Sequence, residues 1–244
     1  MASHYTFRRM QKPHRIASKA HLDRAIAALL AVDARLHPVA RRAGALAFRK
    51  RREEGFEALA SIIVSQQLSV AAADTIFRRL KQAIAPFSTQ AVLAAPSEVL
   101  RGCGLSAPKQ RHLKAVADAI LSGALDLAQL RELQDEEARA RLMAVKGVGR
   151  WTADIYLMSS LDRADVWPAK DVGLQAATAR ALNLRKRPNE KQMEKLSQAW
   201  RPWRTVAARL FWIHEDSLRR EKKLADERAR TQRATKARAR KGRR

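Results

Sequence analysis

The sequence predicts an all-α protein, and three observations carry that prediction. Alanine and leucine dominate a composition that is 46% hydrophobic but only 5% aromatic, which suits packed helices. Apolar residues recur at helical spacing along most of the chain, whereas alternating β-branched runs are absent. The length of 244 residues allows one large domain or two small lobes sharing a core.

Met1 to Ser18 is basic and aromatic without a period, and reads as an N-terminal arm. Lys19 to Ala34 places Leu22, Ile26, Leu29 and Leu30 at helical intervals, with Ser18 as N-cap, and His37-Pro38 follows close to a break. Arg49-Lys50-Arg51-Arg52, before Gly55, is either a solvated face or a phosphate contact. Phe56 to Leu68 is a strongly apolar helix ending in Ser65-Gln66-Gln67-Leu68-Ser69. Paired glutamines after so apolar a run are unusual, although core amides are often simple hydrogen-bonders.

Ala71 to Ile84 is amphipathic through Ala72, Ile76 and Leu80, and closes near Pro86. A short helical turn, Ser97 to Leu100, leads to Gly102-Cys103-Gly104. Ser106 then caps a helix to about Leu121, with Gly123 at its end. Lys109, Arg111 and Lys114 give that helix a basic side that reads as solvated, and His112, like the other five histidines, has no ligand spacing and reads as structural.

Asp135-Glu136-Glu137 puts acids at the positive end of the next helix. Its period is interrupted by Lys146-Gly147-Val148-Gly149 and resumes from Trp151 to Leu161, through Ile155, Leu157, Met158 and Leu161. So short a glycine turn folds two helices back as a hairpin, residues 142–160. Glycines there permit positive φ and remove Cβ atoms that would hold another backbone away. The amides behind them form a natural phosphate seat at a helix N-terminus, although an αα-turn without a ligand has the same pattern.

Asp171 opens the helix Val172–Ala181, a common place for a capping aspartate. Asn189 and Gln192 form a capping box for a helix to Trp200, and a last core helix runs through Leu210 and Trp212. From about Arg219 the apolar period fades. Residues 220–244 read as a basic, disordered tail that attracts phosphates or serves as a localisation signal.

Lys and Arg total 49 against 24 acids, a formal charge of +25. Such an excess implies a polyanionic partner, nucleic acid before an anionic membrane surface. Cys103 is the only cysteine, which excludes a disulfide framework and a four-cysteine iron–sulfur cluster. With no apolar run long enough to span a bilayer and no signal-like start, the chain reads as soluble and intracellular.

Leu142-x-x-Val145-Lys146-Gly147-Val148-Gly149-Arg150-Trp151-Thr152-Ala153, followed by Asp165-Val166 and Asp171, resembles the helix-hairpin-helix DNA glycosylase superfamily. Within it, the best match is the 3-methyladenine DNA glycosylase II branch, which excises alkylated purines. The resemblance spans roughly Phe56 to Trp212 and implies a two-lobed helical fold with the active site in the cleft between lobes. One lobe would be residues 56–163, and the other residues 19–55 with 165–219. Too few residues precede Phe56 for the extra β-domain that some relatives carry.

The resemblance makes Asp171 the catalytic carboxylate, and Trp151 and Trp212 the aromatic walls of the base pocket. Trp167, before Pro168, becomes a candidate for the pocket edge. Lys146, Gly147, Val148, Gly149 and Arg150 become the DNA-binding turn, and Gln67 with Leu68 the plug that fills the gap left by an extruded nucleotide. The turn is further expected to hold a structural Na⁺ or K⁺ through the backbone carbonyls of Met143, Val145 and Val148. Relatives that also cut the strand place a lysine where this chain has Trp151, so a monofunctional hydrolase is implied.

Four residues depart from the family pattern. Lys170 precedes Asp171 where glycine or an acid is usual, Lys146 replaces a common proline, and Ile155 and Val172 stand where some relatives have aromatics. The expected activity is removal of alkylated purines of the 3-methyladenine and 7-methylguanine type from double-stranded DNA, by a monomer that needs no cofactor. The expected location is cytoplasmic with the nucleoid, or nuclear in a eukaryote. The alternatives are a non-catalytic DNA-binding protein and a glycosylase for deaminated or oxidised bases.

Overall fold

The computed structural model describes residues 14–46 and 54–241. Most of the predicted N-terminal arm and the Arg49–Arg52 cluster lie outside the described residues. The helices, in chain order, are α1 (Lys19–Val32), α2 (Leu36–Ala43), α3 (Phe56–Ser65), α4 (Val70–Ala83), α5 (Thr89–Ala94) and α6 (Ser97–Gly102). They continue as α7 (Ala107–Leu121), α8 (Asp135–Met143), α9 (Arg150–Ser159), α10 (Val172–Ala181), α11 (Glu190–Ser197) and α12 (Arg204–Lys241). Among the described residues there is no strand, only an isolated antiparallel bridge between Arg15 and Arg163. None of these helices is long and apolar enough to cross a membrane.

The chain divides into two compact units, one of Met1–Leu22 with Phe48–Pro168, the other of Asp23–Ala47 with Ala169–Arg244. In the first, Ala60, Val64, Leu80, Val92, Leu100, Leu105 and Leu113 form a buried cluster contributed by α3 to α7. Phe87 closes it, stacked on Phe56 at 5.4 Å and edge-on to Phe77 at 5.6 Å. Each fully buried leucine of this kind stabilises the fold by about 1.5–3 kcal/mol. The bridge at Arg15 ties the end of the predicted arm into this unit, with Ile16 N donating to Asp162 O at 2.8 Å and Ala164 N to His14 O at 3.0 Å.

The second unit packs α2 and α10 against α12, around Leu36, Val39, Leu174, Ala177, Val206, Leu210 and Phe211. Trp200 is fully buried beside Phe211, ring centroids 5.2 Å apart, and its indole donates to Asp33 Oδ2 at 3.0 Å. Arg35 grips the same carboxylate at 2.8 and 2.7 Å, and with the Trp200 bond holds Asp33 below the usual carboxylate range against the opposing effect of burial.

Two local expectations are corrected, one is met, and one short helix is added. The break expected close to His37-Pro38 falls at residues 33–35, between α1 and α2, and Pro38 stands in the first turn of α2, where proline costs no intrahelical hydrogen bond. The six-residue α5, capped by Ser88 on Ala91 N at 3.2 Å, is too short to show a period in the sequence. Lys109 and Lys114 are not simply solvated: Lys109 Nζ donates to Val64 O at 2.7 Å, and Lys114 Nζ to Leu93 O at 3.1 Å and Ala95 O at 2.8 Å. Both ammonium groups therefore satisfy carbonyls at helix C-termini. Finally, the expected disordered tail is helical, because α12 runs unbroken to Lys241. A helix already nucleated by core packing extends at little cost through alanine, arginine, lysine and glutamate.

Candidate functional site

In the first unit, α8 and α9 form the hairpin, and the turn between them is built as its glycines require only in part. Gly147 has φ +92, and a Cβ there would lie 2.2 Å from His112 Cγ and 2.4 Å from His112 Cβ. Only glycine fits. Gly149, by contrast, is the N-cap of α9 with extended backbone (φ −87), and a Cβ there would meet nothing within 4 Å. Its space is open to an approaching ligand. Val145 and Val148 are buried and close the turn through Val148 N to Val145 O at 3.0 Å, while Met143, Lys146 and Gly149 face solvent.

The hairpin is braced internally by charge. Arg139 on α8 donates Nε to Asp154 Oδ1 on α9 at 2.6 Å, and both are buried. Arg150 approaches the other oxygen at 3.7 Å, and Glu136 lies 2.6 Å from Arg139 Nη1. Burial opposes the charge of Arg139, but Asp154 and Glu136 outweigh it and hold the guanidinium above its ordinary pKa. This brace was not read from the sequence. The available signal was an aspartate in the middle of the apolar run Trp151–Leu161.

Next to the turn stands the predicted plug segment. Gln66 Nε2 donates to Gly147 O at 3.1 Å and to Thr152 Oγ1 at 2.9 Å, so the loop after α3 is tied to both sides of the hairpin turn. The sequence marks Gln66 only as one of a pair. Gln67 follows in the left-handed region at φ +58, exposed, with Leu68 40% and Val70 78% exposed beyond it. A non-glycine residue at positive φ at a loop tip is the kind of strain that collects at functional sites.

Trp151 begins α9 and is half-buried. Trp167 is 2% exposed, so its expected place at a pocket edge gives way to a place in the core. Among the described residues, no group of three or more His, Cys, Asp or Glu is arranged to hold a metal.

In the second unit, Asp171 is the N-cap of α10, its Oδ1 accepting from Leu174 N at 2.5 Å. Gly173 leaves room for it: a Cβ there would stand 3.1 Å from Oδ1. Gln175 donates to Ala169 O at 2.9 Å, pinning the backbone just before the aspartate. Lys170 Nζ turns to Glu190 Oε2, 3.7 Å away. Trp212 lies half-buried on α12 in the same unit. The structure thus groups the turn, the plug segment and Trp151 in one unit, and Asp171 with Trp212 in the other.

Helical architecture and a glycine-turn hairpin define a helix-hairpin-helix protein. Residues 60–202 match the family described as HhH-GPD superfamily base excision DNA repair protein, and the chain belongs to that family. It is 36% identical over 169 residues to DNA-3-methyladenine glycosylase 1 of Schizosaccharomyces pombe, covering 66% of this chain and 72% of that one. The solved structure of the 3-methyladenine DNA glycosylase of that yeast in complex with abasic DNA aligns with a TM-score of 0.73 at 31% identity, over 78% of this chain and 95% of the other. DNA-3-methyladenine glycosidase from Bacillus halodurans aligns with a TM-score of 0.66 at 30% identity, over 83% and 91% of the two chains.

Proposed function

We propose that this protein is a monofunctional DNA glycosylase that hydrolyses the N-glycosidic bond of alkylated purines in duplex DNA and leaves an abasic site. The observation that carries the reading is Asp171 at the head of α10, held by Leu174 N, in a family member whose hairpin carries tryptophan rather than lysine at 151. Relatives named for 3-methyladenine, 30–36% identical, support the substrate class.

Breaking the bond builds positive charge on the sugar. A fixed carboxylate at Asp171 stabilises that oxocarbenium-like state and orients the attacking water. Alkylation at N3 or N7 already gives the purine a positive charge, so the leaving group needs little protonation and is held by electron-rich faces, the role that the family resemblance gives to Trp151 and Trp212. Gln67 and Leu68, at the strained loop tip, fill the stack after the nucleotide flips out. Lys146 and the open backbone at Gly149 receive a phosphate at the start of α9.

A sodium or potassium ion suits the turn. Met143, Val145 and Val148 offer neutral carbonyl oxygens, and Val145 O uses only part of its capacity on Val148 N. The ion would add positive charge facing the phosphate.

The test is base release from methylated duplex DNA, wild type beside Asp171→Asn. Free alkylpurine from wild type alone, with no strand cut before alkali, is the expected result. No release from either, despite tight binding, would make the chain a DNA-binding protein or a glycosylase for another lesion.

A further inference from the structure

The second unit ends in the long helix α12. Every residue from Arg219 to Gln232 is exposed, and Leu224, the last large apolar residue of the chain, is 54% exposed. Two of the three acids of this segment are engaged early: Glu221 with Arg42 at 2.5 Å and Glu227 with Lys223 at 3.9 Å. From Arg228 to the end there are nine Lys or Arg and no acid.

Such a helix opposes itself. Arg230 and Arg233, Arg233 and Lys236, Lys236 and Arg240, and Arg238 and Lys241 stand three or four positions apart, where like charges destabilise a helix. A polyanion along it would convert that repulsion into attraction. Alanines between the charges supply helix propensity without any apolar face for a protein partner.

We propose that the C-terminal part of α12 is a second DNA-binding element, which lies along the phosphates of duplex flanking the lesion. The inference rests on the glycosylase reading for the word "flanking", but not for the binding itself. Geometry sets its reach. Trp212 and the extension share one continuous helix. At 1.5 Å per residue, Arg228 lies about 24 Å and Lys241 about 44 Å along the axis from Trp212. Those distances correspond to about 7 to 13 base pairs of duplex. The element therefore contacts DNA well beyond the damaged pair and adds affinity without sequence preference.

The experiment uses the full chain, wild type beside a variant combining Arg228→Gln, Arg230→Gln, Arg233→Gln, Lys236→Gln, Arg238→Gln and Arg240→Gln. Glutamine keeps helix propensity and removes charge. Binding to undamaged duplexes of about 12 and about 30 base pairs is measured between about 50 and 200 mM salt. Wild type is expected to bind the longer duplex with the steeper salt dependence. The variant should lose that length advantage, and its salt slope on the longer duplex should fall by about 3.

A variant that keeps both slope and length dependence overturns the proposal. So does wild-type binding to single-stranded RNA or phosphatidylserine vesicles that exceeds duplex binding and is lost in the variant. Excision from a methylated duplex of about 12 base pairs is read separately and should be equal in both proteins. Its absence from wild type counts against the glycosylase reading alone.

Discussion

Arg139 and Asp154 form a buried ion pair that ties the first helix of the hairpin to the second, Nε to Oδ1 at 2.6 Å, with side chains only 7% and 1% exposed. Removing one partner strands the other charge in a site with little water. Asp154→Ala is therefore expected to destabilise the protein by about 3 kcal/mol. The paired change Arg139→Met with Asp154→Leu should recover part of that loss, since the charges it leaves behind, Arg150 and Glu136, are far more exposed than the pair it removes. Urea midpoints of the three proteins make the comparison. A paired variant no more stable than Asp154→Ala would mean that the brace contributes more than the balance of its own charges.

Gly147→Ala meets two separate obstacles. The backbone sits at φ +92, and the new methyl would overlap His112. The left-handed region alone costs about 1–2 kcal/mol. Trimming the neighbour does not help, because His112 Cβ itself would stand 2.4 Å from the alanine methyl. Thermal unfolding should show a clear loss in Gly147→Ala and no rescue by adding His112→Ala. Gly149→Ala, with open space and φ −87, should leave stability nearly unchanged while weakening DNA binding. Equal stability losses at the two glycines would contradict this division of roles.

Much of the fold and part of the site could be read in the sequence, for identifiable reasons. The hairpin was legible because two glycines break a helical period that resumes on the other side. Asp171 was legible as a cap because Asp before a helical run is a local signal, and its side chain does accept from Leu174 N. Contacts between distant residues were not legible. Arg139 and Asp154 are paired only because the hairpin brings together two helices whose partners lie 15 positions apart. Gln66 finds Gly147 and Thr152 across more than 80 residues. Nor did the sequence distinguish a buried tryptophan at 167 from a half-buried one at 151. The tail shows the limit of composition: lacking apolar residues, it still continues a helix that the core has started.

Gln66 links the loop that carries Gln67 to the turn that carries Gly147. Gln66→Ala removes two hydrogen bonds, each worth about 0.5–1.5 kcal/mol. Gln66→Glu keeps the size but faces Gly147 O with a carboxylate instead of a donor. Both variants are expected to raise KM for damaged duplex more than they lower kcat, because the loop loses its position relative to the phosphate seat. Single-turnover excision and equilibrium binding separate the two parameters. If both changes fell on kcat with KM unaltered, the link between loop and turn would not serve DNA binding.

Asp171 has two roles, and two substitutions divide them. Asparagine caps a helix about as well as aspartate, whereas alanine at an N-cap costs about 1 kcal/mol. Asp171→Asn should thus keep wild-type stability and lose excision, and Asp171→Ala should lose both. Calorimetry beside base release gives the answer. An asparagine variant with full activity would leave Asp171 with capping alone.

His214 sets part of the pH dependence of stability. Burial first, then the charge of Arg42, holds its imidazole below the ordinary value, with Arg180 acting the same way and Glu215 and Glu221 against it. The folded state therefore binds a proton at this site less readily than the unfolded chain, whose histidine titrates near about 6.5. Between the lowered folded value and 6.5, unfolding takes up protons, so stability rises with pH. The contribution is fully present above about 6.5 and is lost as pH falls below it. Unfolding free energy should decline from about pH 7.5 to about pH 5.5 in wild type and decline less in His214→Gln over the same range. Arg42→Gln removes a like charge, raises the folded value toward the unfolded one, and should make the wild-type decline shallower. If the His214→Gln profile matched that of wild type, the acid sensitivity would belong to other groups.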